Sequence, residues 1–262
     1  IEMDEVTYDI NTGSNKEYDT DTFRFNYTSL TTPTTTYDYN VNNRTKQTMK
    51  IRPVNEYNKD NYKTERVWTK SRDGTPIPIS FIARKDIDIS GNTSNPFLLV
   101  GYGSYGYPYD VYFSSNRLSL VDRGCIVGYA HIRGGGDFGR KWKLDGKLKN
   151  KLNTFQDFIA CGEYLVNSGI SSKDKLCISG GSAGGLLMGA CMNMRPDLYK
   201  AVVADVPFVD VLNTILDENI PLTAGEWEEW GDPRCYDDYW YIKSYSPYDN
   251  ITSQQYPNVL LL

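Results

Sequence analysis

The residues best suited to chemistry in this 262-residue sequence lie in a glycine-rich segment, residues 180–185, with the sequence Gly-Gly-Ser-Ala-Gly-Gly. The segment fits the pattern G-x-S-x-G and lies between a predicted strand and a predicted helix, which is the context of a nucleophile elbow. Such a sharp turn needs glycines on both sides and holds its serine in a strained, exposed conformation. We therefore predict that Ser182 is a nucleophile for acyl transfer, and that the Ala183 N–H, at the positive end of the helix, stabilises an oxyanion. A glycine-rich turn without a catalytic role is the alternative.

A second glycine-rich segment, residues 101–106, has the sequence Gly-Tyr-Gly-Ser-Tyr-Gly and formally matches the dinucleotide-binding pattern G-x-G-x-x-G. That pattern requires a helix at its third glycine, whereas Tyr-Pro-Tyr-Asp follows here, and Asp122 lies in a helix-like stretch rather than at a ribose site. We reject nucleotide binding. A glycine-rich loop at the carboxyl end of a strand, in the same fold as an elbow serine, is better interpreted as the second wall of an oxyanion hole.

The elements that must position these segments alternate between short apolar strands and helices from residue 96 onward. This order is typical of a doubly wound, mostly parallel sheet. One helix is predicted to begin at Thr154, where Thr154 and Asp157 fit a capping box, and to end at Gly169. The other predictions are helices at residues 116–122 and 184–193 and strands at residues 96–100, 125–130, 176–179, 201–205 and 258–262.

The first sixty or so residues have a different pattern, in which aromatic residues alternate with polar ones and turns are frequent. Phe23, Phe25 and Tyr27 follow this alternation, which is typical of short antiparallel strands. Because two or three such strands are marginal alone, we expect them to belong to a larger all-β unit. A hairpin is predicted around the Asp-Gly turn at residues 73–74.

Composition excludes several classes of protein. The formal net charge of −5 argues against nucleic acid as the main partner. No stretch of 18 apolar residues indicates a membrane span. Five cysteines without a C-x-x-C pair and the single histidine, His131, give no support for a disulfide framework, a metal site or a mechanism with several histidines. We expect no cofactor, and a cytoplasmic location.

Five motifs taken together resemble the prolyl oligopeptidase family of serine peptidases, and within it the oligopeptidase B branch; they lie at residues 102–106, 131–136, 142–158, 180–185 and 220–231. The resemblance implies a β-propeller that caps an α/β-hydrolase domain and admits short peptides. The expected fold is therefore α/β, an α/β-hydrolase truncated at its C-terminus and preceded by a β-propeller remnant. On this interpretation residues 1–58 are the propeller remnant and residues 59–262 an incomplete peptidase domain.

The resemblance also implies roles for individual residues. Ser182 matches the nucleophile, and the Ala183 N–H and the Tyr102 hydroxyl match the two donors of the oxyanion hole. Glu226 and Glu228 match acidic residues that are associated with a basic substrate side chain. The function implied is cleavage of short peptides after Arg or Lys through an acyl-enzyme, with no cofactor.

His131 is not expected to be the catalytic base. It precedes Ser182, whereas the triad of this fold runs in the order serine, acid, histidine. The resemblance implies that the acid and the histidine lie beyond Leu262, so we expect a fragment with little turnover of its own. Arg133 is expected to be a structural or substrate-contacting charge, and Asp137 stands where the family usually has Glu.

Two alternatives remain open from the sequence. A carboxylesterase of the same fold would share the serine turn, although here the glycine run at residues 134–136 follows Arg133 and not a histidine. A binding or regulatory pseudoenzyme that retains an acidic pocket is the alternative outside enzymes.

Overall fold

The computed structural model describes residues 1–109 and 111–262. By the distribution of their contacts these residues form two compact units. The first comprises Ile1–Arg66, Ser80–Ile87 and Asp110–Val127, and the second Val67–Ile79, Asp88–Tyr109 and Gly128–Leu262.

The strands fall into two sheets. Four strands form the first: β1 (Tyr8–Thr12), β2 (Thr22–Ser29), β3 (Thr35–Asn40) and β4 (Thr45–Ile51). Seven strands form the second: β5 (Tyr62–Lys70), β6 (Pro76–Arg84), β7 (Phe97–Val100), β8 (Ile126–Ala130), β9 (Leu176–Gly181), β10 (Ala201–Asp205) and β11 (Asn258–Leu261).

The α-helices of the described residues all follow β7. They are α1 (Ser115–Val121), α2 (Arg140–Leu144), α3 (Lys151–Asn167), α4 (Ala183–Met194), α5 (Val211–Leu216), α6 (Thr223–Trp230) and α7 (Tyr236–Lys243).

The first sheet is antiparallel with the order β1-β2-β3-β4, as the alternating aromatic residues predicted. Phe25 pairs with Tyr37 across β2 and β3, and their rings stack with centroids 5.4 Å apart. Phe25 and Leu30 are fully buried, so one face of this sheet supplies the core of the first unit.

Glu5 fastens the N-terminal segment to the turn between β2 and β3. Its carboxylate accepts hydrogen bonds from four hydroxyls, at distances of 2.6 to 2.8 Å; the donors are Tyr27, Ser29, Thr31 and Thr32. Burial alone raises the pKa of Glu5, but these hydrogen bonds outweigh burial and lower the pKa from 4.5 to about 2. The ionised form is therefore the one that the fold stabilises.

Replacing Glu5 with Gln should destabilise the first unit. Because the folded pKa lies below the unfolded one, the stabilisation is fully present above pH 4.5 and is lost as the pH falls toward 2; with solvent screening of this part-exposed carboxylate it amounts to about 2 kcal/mol at neutral pH. Urea unfolding at pH 7 and pH 3 measures it. Wild type and Glu5→Gln should differ more at pH 7 than at pH 3, and the neighbouring exposed Asp4→Asn should change neither value. An equal difference at both pH values would contradict the assignment.

The second sheet has the order β11-β10-β9-β7-β8-β6-β5. Its strands β11, β10, β9 and β7 pair in parallel, and α4 packs on β9 and β10 while α3 packs on α4. The α/β architecture predicted from the sequence is confirmed, including the hairpin turn at Asp73-Gly74, where the Gly74 N–H donates to the Ser71 carbonyl.

Most of the predicted elements match the observed ones to within two residues. The strand at residues 201–205 is exact, and α4 begins one residue earlier than expected, at Ala183. The predicted capping box at Thr154 and Asp157 is wrong, because α3 begins at Lys151 and both residues lie inside the helix. Their side chains serve tertiary contacts instead. Thr154 donates to the carbonyls of Arg133 and Gly146, 2.8 and 3.1 Å away.

Arg133 and Asp157 form a buried ion pair that joins the segment after β8 to α3. The Arg133 guanidinium donates to both Asp157 carboxylate oxygens at 2.8 and 2.6 Å, and its backbone N–H donates to the same carboxylate at 3.0 Å. Asp73 accepts a further bond at 2.6 Å. Burial raises the pKa of Asp157, and the bonds from Arg133 oppose that rise. Arg133 is 4% exposed, which favours the structural role over contact with a substrate.

Replacing Arg133 with Met should cost about 3 to 5 kcal/mol, because the Asp157 carboxylate would remain buried without its partner. The double variant Arg133→Met/Asp157→Leu should recover part of this loss, since it removes both charges. Urea unfolding measures both, with the exposed Arg140→Met as the matched control. A double variant less stable than Arg133→Met would refute the assignment.

Candidate active site

Ser182 lies at the turn between β9 and α4, where the sequence predicted an elbow. Its backbone has φ 54° and ψ −116°, a combination that non-glycine residues rarely adopt. The conformation is held on both sides, because the Ser182 N–H donates to the Asp205 carbonyl at 2.9 Å and its carbonyl accepts from the Phe208 N–H at 3.0 Å. The side chain is exposed. This geometry presents the hydroxyl to solvent directly before the first turn of a helix.

The glycines around Ser182 permit a close approach of backbone segments. A Cβ at Gly180 would lie 2.5 Å from the Gly184 carbonyl oxygen, and one at Gly184 would lie 2.8 Å from the Gly101 carbonyl oxygen. Both distances exclude any side chain. The start of α4 therefore lies against the residues that follow β7, and the Tyr102 ring is 3.3 Å from the position that a Gly184 Cβ would take.

The two segments in this contact each carry a potential hydrogen-bond donor, the Ala183 N–H and the Tyr102 hydroxyl. The Ala183 N–H is the first of α4, and an N–H at this position has no acceptor within the helix. The Tyr102 ring is half-buried, and burial, followed by the nearby charges of Glu229 and Glu226, raises the pKa of its hydroxyl. A raised pKa keeps the Tyr102 hydroxyl protonated at neutral pH, so it remains a donor.

The segment that carries Tyr102, residues 101–107, is called the Tyr102 loop below. Its Gly106 N–H donates to the Gly134 carbonyl at 2.9 Å. Gly134 has φ 93°, and a Cβ there would lie 2.1 Å from the Gly103 carbonyl oxygen. The glycine run after Arg133 thus packs its backbone directly on the Tyr102 loop. No helix begins in residues 107–109, although the dinucleotide-binding pattern would require one there.

Acidic residues of α6 reach the same loop. One Glu226 oxygen, Oε2, accepts from the Tyr105 hydroxyl at 2.6 Å and from the Trp230 indole N–H at 2.8 Å. Glu229 is buried and accepts from the Tyr105 N–H at 2.9 Å. Glu228 is exposed. The structure therefore joins Glu226 and Glu229 to the Tyr102 loop.

Sequence reasoning missed Glu229, Tyr105 and Lys151, whose ammonium donates to the Tyr102 loop. The signal for Glu229 was helical spacing, because residues 226, 229 and 230 share one face of α6 while residue 228 does not. That spacing was unused because α6 was not predicted. Nothing in the sequence pattern indicates that Tyr105 and Lys151 take part.

His131 is buried, with Nδ1 2.7 Å from Oδ1 of Asp137. The same Asp137 oxygen accepts from the Tyr109 N–H at 3.1 Å. Asp137, although shorter than the usual Glu, therefore links His131 to the backbone of Tyr109, which lies two residues after the Tyr102 loop.

Within the described residues, no helix combines the length and the apolar character that crossing a membrane requires.

Comparisons with known proteins identify the family. Residues 111–262 match the sequence profile of the prolyl oligopeptidase family, and residues 3–52 match that of the prolyl oligopeptidase N-terminal beta-propeller domain. The chain is 48% identical over 258 residues to dipeptidyl aminopeptidase BI of Pseudoxanthomonas mexicana and 43% identical over 262 residues to protease 2 of Moraxella lacunata. These alignments cover 98% and 100% of the chain but only 35% and 38% of the relatives.

Solved structures agree. Oligopeptidase B from Trypanosoma brucei with covalently bound antipain superposes with a TM-score of 0.93 at 45% identity, over 99% of this chain and 37% of that one. Oligopeptidase B from Leishmania major gives a TM-score of 0.92 at 46% identity, over 99% of this chain and 36% of that one. The chain thus spans little more than a third of the length of these relatives. It belongs to the prolyl oligopeptidase family and is similar to oligopeptidase B.

Proposed function

We propose that this chain supplies the nucleophile and the oxyanion hole of a serine oligopeptidase that cleaves short peptides after Arg or Lys. The observation that carries the proposal is the strained turn at Ser182, with the first-turn Ala183 N–H and the half-buried Tyr102 beside it. Residues 1–58 would be the end of the propeller and residues 59–262 part of the catalytic domain. A cytoplasmic location remains a prediction.

The mechanism is acyl transfer. Ser182 Oγ attacks the peptide carbonyl, its proton passes to a base, and the Ala183 N–H and Tyr102 O–H stabilise the oxyanion where charge develops. The acyl-enzyme is then hydrolysed by water. The covalently bound antipain in the Trypanosoma brucei relative supports a covalent intermediate of this kind.

The base must come from elsewhere in the whole protein. His131 is the single histidine of these 262 residues, and it is buried against Asp137. Since the chain spans 35% to 38% of its curated relatives, we propose that the remaining two thirds supply the acid and the histidine.

The esterase alternative finds less support. An oxyanion hole built from the glycine run would need free N–H groups there, but the Gly134 and Gly135 N–H groups already donate to the carbonyls of Trp142 and Ile132. Tyr102 remains the better second donor.

Replacing Ser182 with Ala in the product of the complete reading frame should lower kcat for an Arg-containing reporter peptide by at least about 10³-fold, because no acyl-enzyme can form. The exposed Ser253→Ala is the matched control and should keep full activity. Residues 1–262 alone should give no measurable hydrolysis. An active Ser182→Ala variant would refute the proposed nucleophile, and an active 262-residue chain would refute the need for an outside base.

Substrate charge is proposed to be recognised by Glu226, with the exposed Glu228 as a second carboxylate. Glu226→Gln keeps an acceptor for Tyr105 and Trp230 but removes the charge. It should lower kcat/KM for Arg and Lys peptides by about tenfold or more, while peptides with a neutral residue at that position change little. Glu228→Gln should have a smaller effect, because solvent screens an exposed charge.

Steady-state kinetics on paired basic and neutral peptides measure both variants. Equal losses on basic and neutral peptides in Glu226→Gln would show that the residue is structural.

A further inference from the structure

Lys151, the first residue of α3, is a buried amino group whose donors are all directed at two neighbouring segments. It is 1% exposed, and lysine is seldom buried to this extent. Its Nζ donates to the Gly103 carbonyl at 2.7 Å and to Ser104 Oγ at 2.8 Å. It also lies 4.8 Å from the centroid of the Trp230 ring. Two N–H groups and a cation–π contact thus account for the three donors of the ammonium.

Both acceptors of Lys151 lie in the Tyr102 loop, directly after Tyr102, while Trp230 lies at the end of α6. The same two segments meet a second time, where the Tyr105 N–H and hydroxyl donate to Glu229 and Glu226. Lys151 therefore lies between the loop that carries Tyr102 and the helix that carries the acidic residues, and it contacts both.

Keeping a charge in this place has a cost. Burial lowers the pKa of Lys151 from 10.5 to about 7, and the field of Glu229 only partly opposes burial. Packing alone would be served better by an apolar side chain of the same length. What an apolar residue lacks is a donor for the Gly103 carbonyl and Ser104 Oγ, which fixes the direction in which the backbone leaves Tyr102.

We infer that Lys151 is a positioning residue for the reaction: it holds the Tyr102 loop against α6 so that the Tyr102 hydroxyl is directed at the oxyanion. This inference rests on the proposed function. In it, Lys151 contacts neither the substrate nor the reacting atoms, and its effect on kcat is transmitted through Tyr102.

A double-mutant cycle tests the inference in the product of the complete reading frame. Tyr102→Phe should lower kcat by about 10²- to 10³-fold, and Lys151→Met by about tenfold or more, with KM changed by less than about twofold in each. In the Tyr102→Phe background, Lys151→Met should lower kcat by less than about threefold, because the hydroxyl that it positions is gone. The exposed Lys149→Met is the matched control and should leave kcat unchanged.

An equal loss of kcat in both backgrounds would overturn the inference, since a general structural role does not depend on the Tyr102 hydroxyl. So would an unchanged kcat in Lys151→Met. Ser182→Ala distinguishes failure of the proposed function from failure of this inference. If Ser182→Ala stays active, the proposed function fails. If Ser182→Ala is inactive but Lys151 and Tyr102 show no coupling, only the inference about Lys151 fails.

Ser104→Ala provides a second variant if Lys151→Met does not fold, because it removes one acceptor of Lys151 and leaves the charge in place. Its loss of kcat, about threefold or more, should also disappear in the Tyr102→Phe background. Hydrogen exchange gives a readout besides activity. Amides of residues 101–107 should exchange faster in Ser104→Ala while those of α4 do not change. Unchanged exchange in the loop together with additive kcat effects would overturn the inference.

Discussion

The arrangement around Ser182 depends on three stretches of backbone that touch without side chains between them. A Cβ at Gly134 would lie 2.1 Å from the Gly103 carbonyl oxygen, and a Cβ at Gly146 would lie 2.1 Å from the Gly134 nitrogen. Side chains can change rotamer to absorb a misfit, but backbone atoms in contact cannot. The separation between the Tyr102 loop and the segments at Gly134 and Gly146 is therefore fixed by direct backbone contact.

One helix fastens all three stretches. Along α3, Lys151 donates to the Tyr102 loop, Thr154 donates to the carbonyls of Arg133 and Gly146, and Asp157 accepts from Arg133. These residues recur at every third position, so they follow one face of the first two turns. A hydrophobic face would hold the loops less specifically, since apolar contact has no direction whereas hydrogen bonds do.

The sequence predicted those parts of the fold that depend on local patterns. The alternation of aromatics in β2 and β3, the apolar run of β10 and the glycine turn at Ser182 are each properties of a few neighbouring residues. Thr154 and Asp157 show where this fails: their spacing fits a helix start, yet partners far along the chain, Arg133 above all, use both side chains. Glu229 was missed because α6 was not predicted, and the partner that gives it a role, Tyr105, is 124 residues away.

The hydrogen bonds of Glu226 limit what this carboxylate can distinguish in the role proposed for it. Its Oε2 already accepts two hydrogen bonds, from Tyr105 and Trp230, which uses both lone pairs of that oxygen. Only Oε1 is left for a substrate. A guanidinium gains its advantage over an ammonium by bonding to two oxygens at once, and a carboxylate with one available oxygen cannot offer that fork. Glu226 alone would thus detect positive charge without distinguishing arginine from lysine, and any preference between the two must come from the second carboxylate, Glu228, or from the shape of the surrounding pocket.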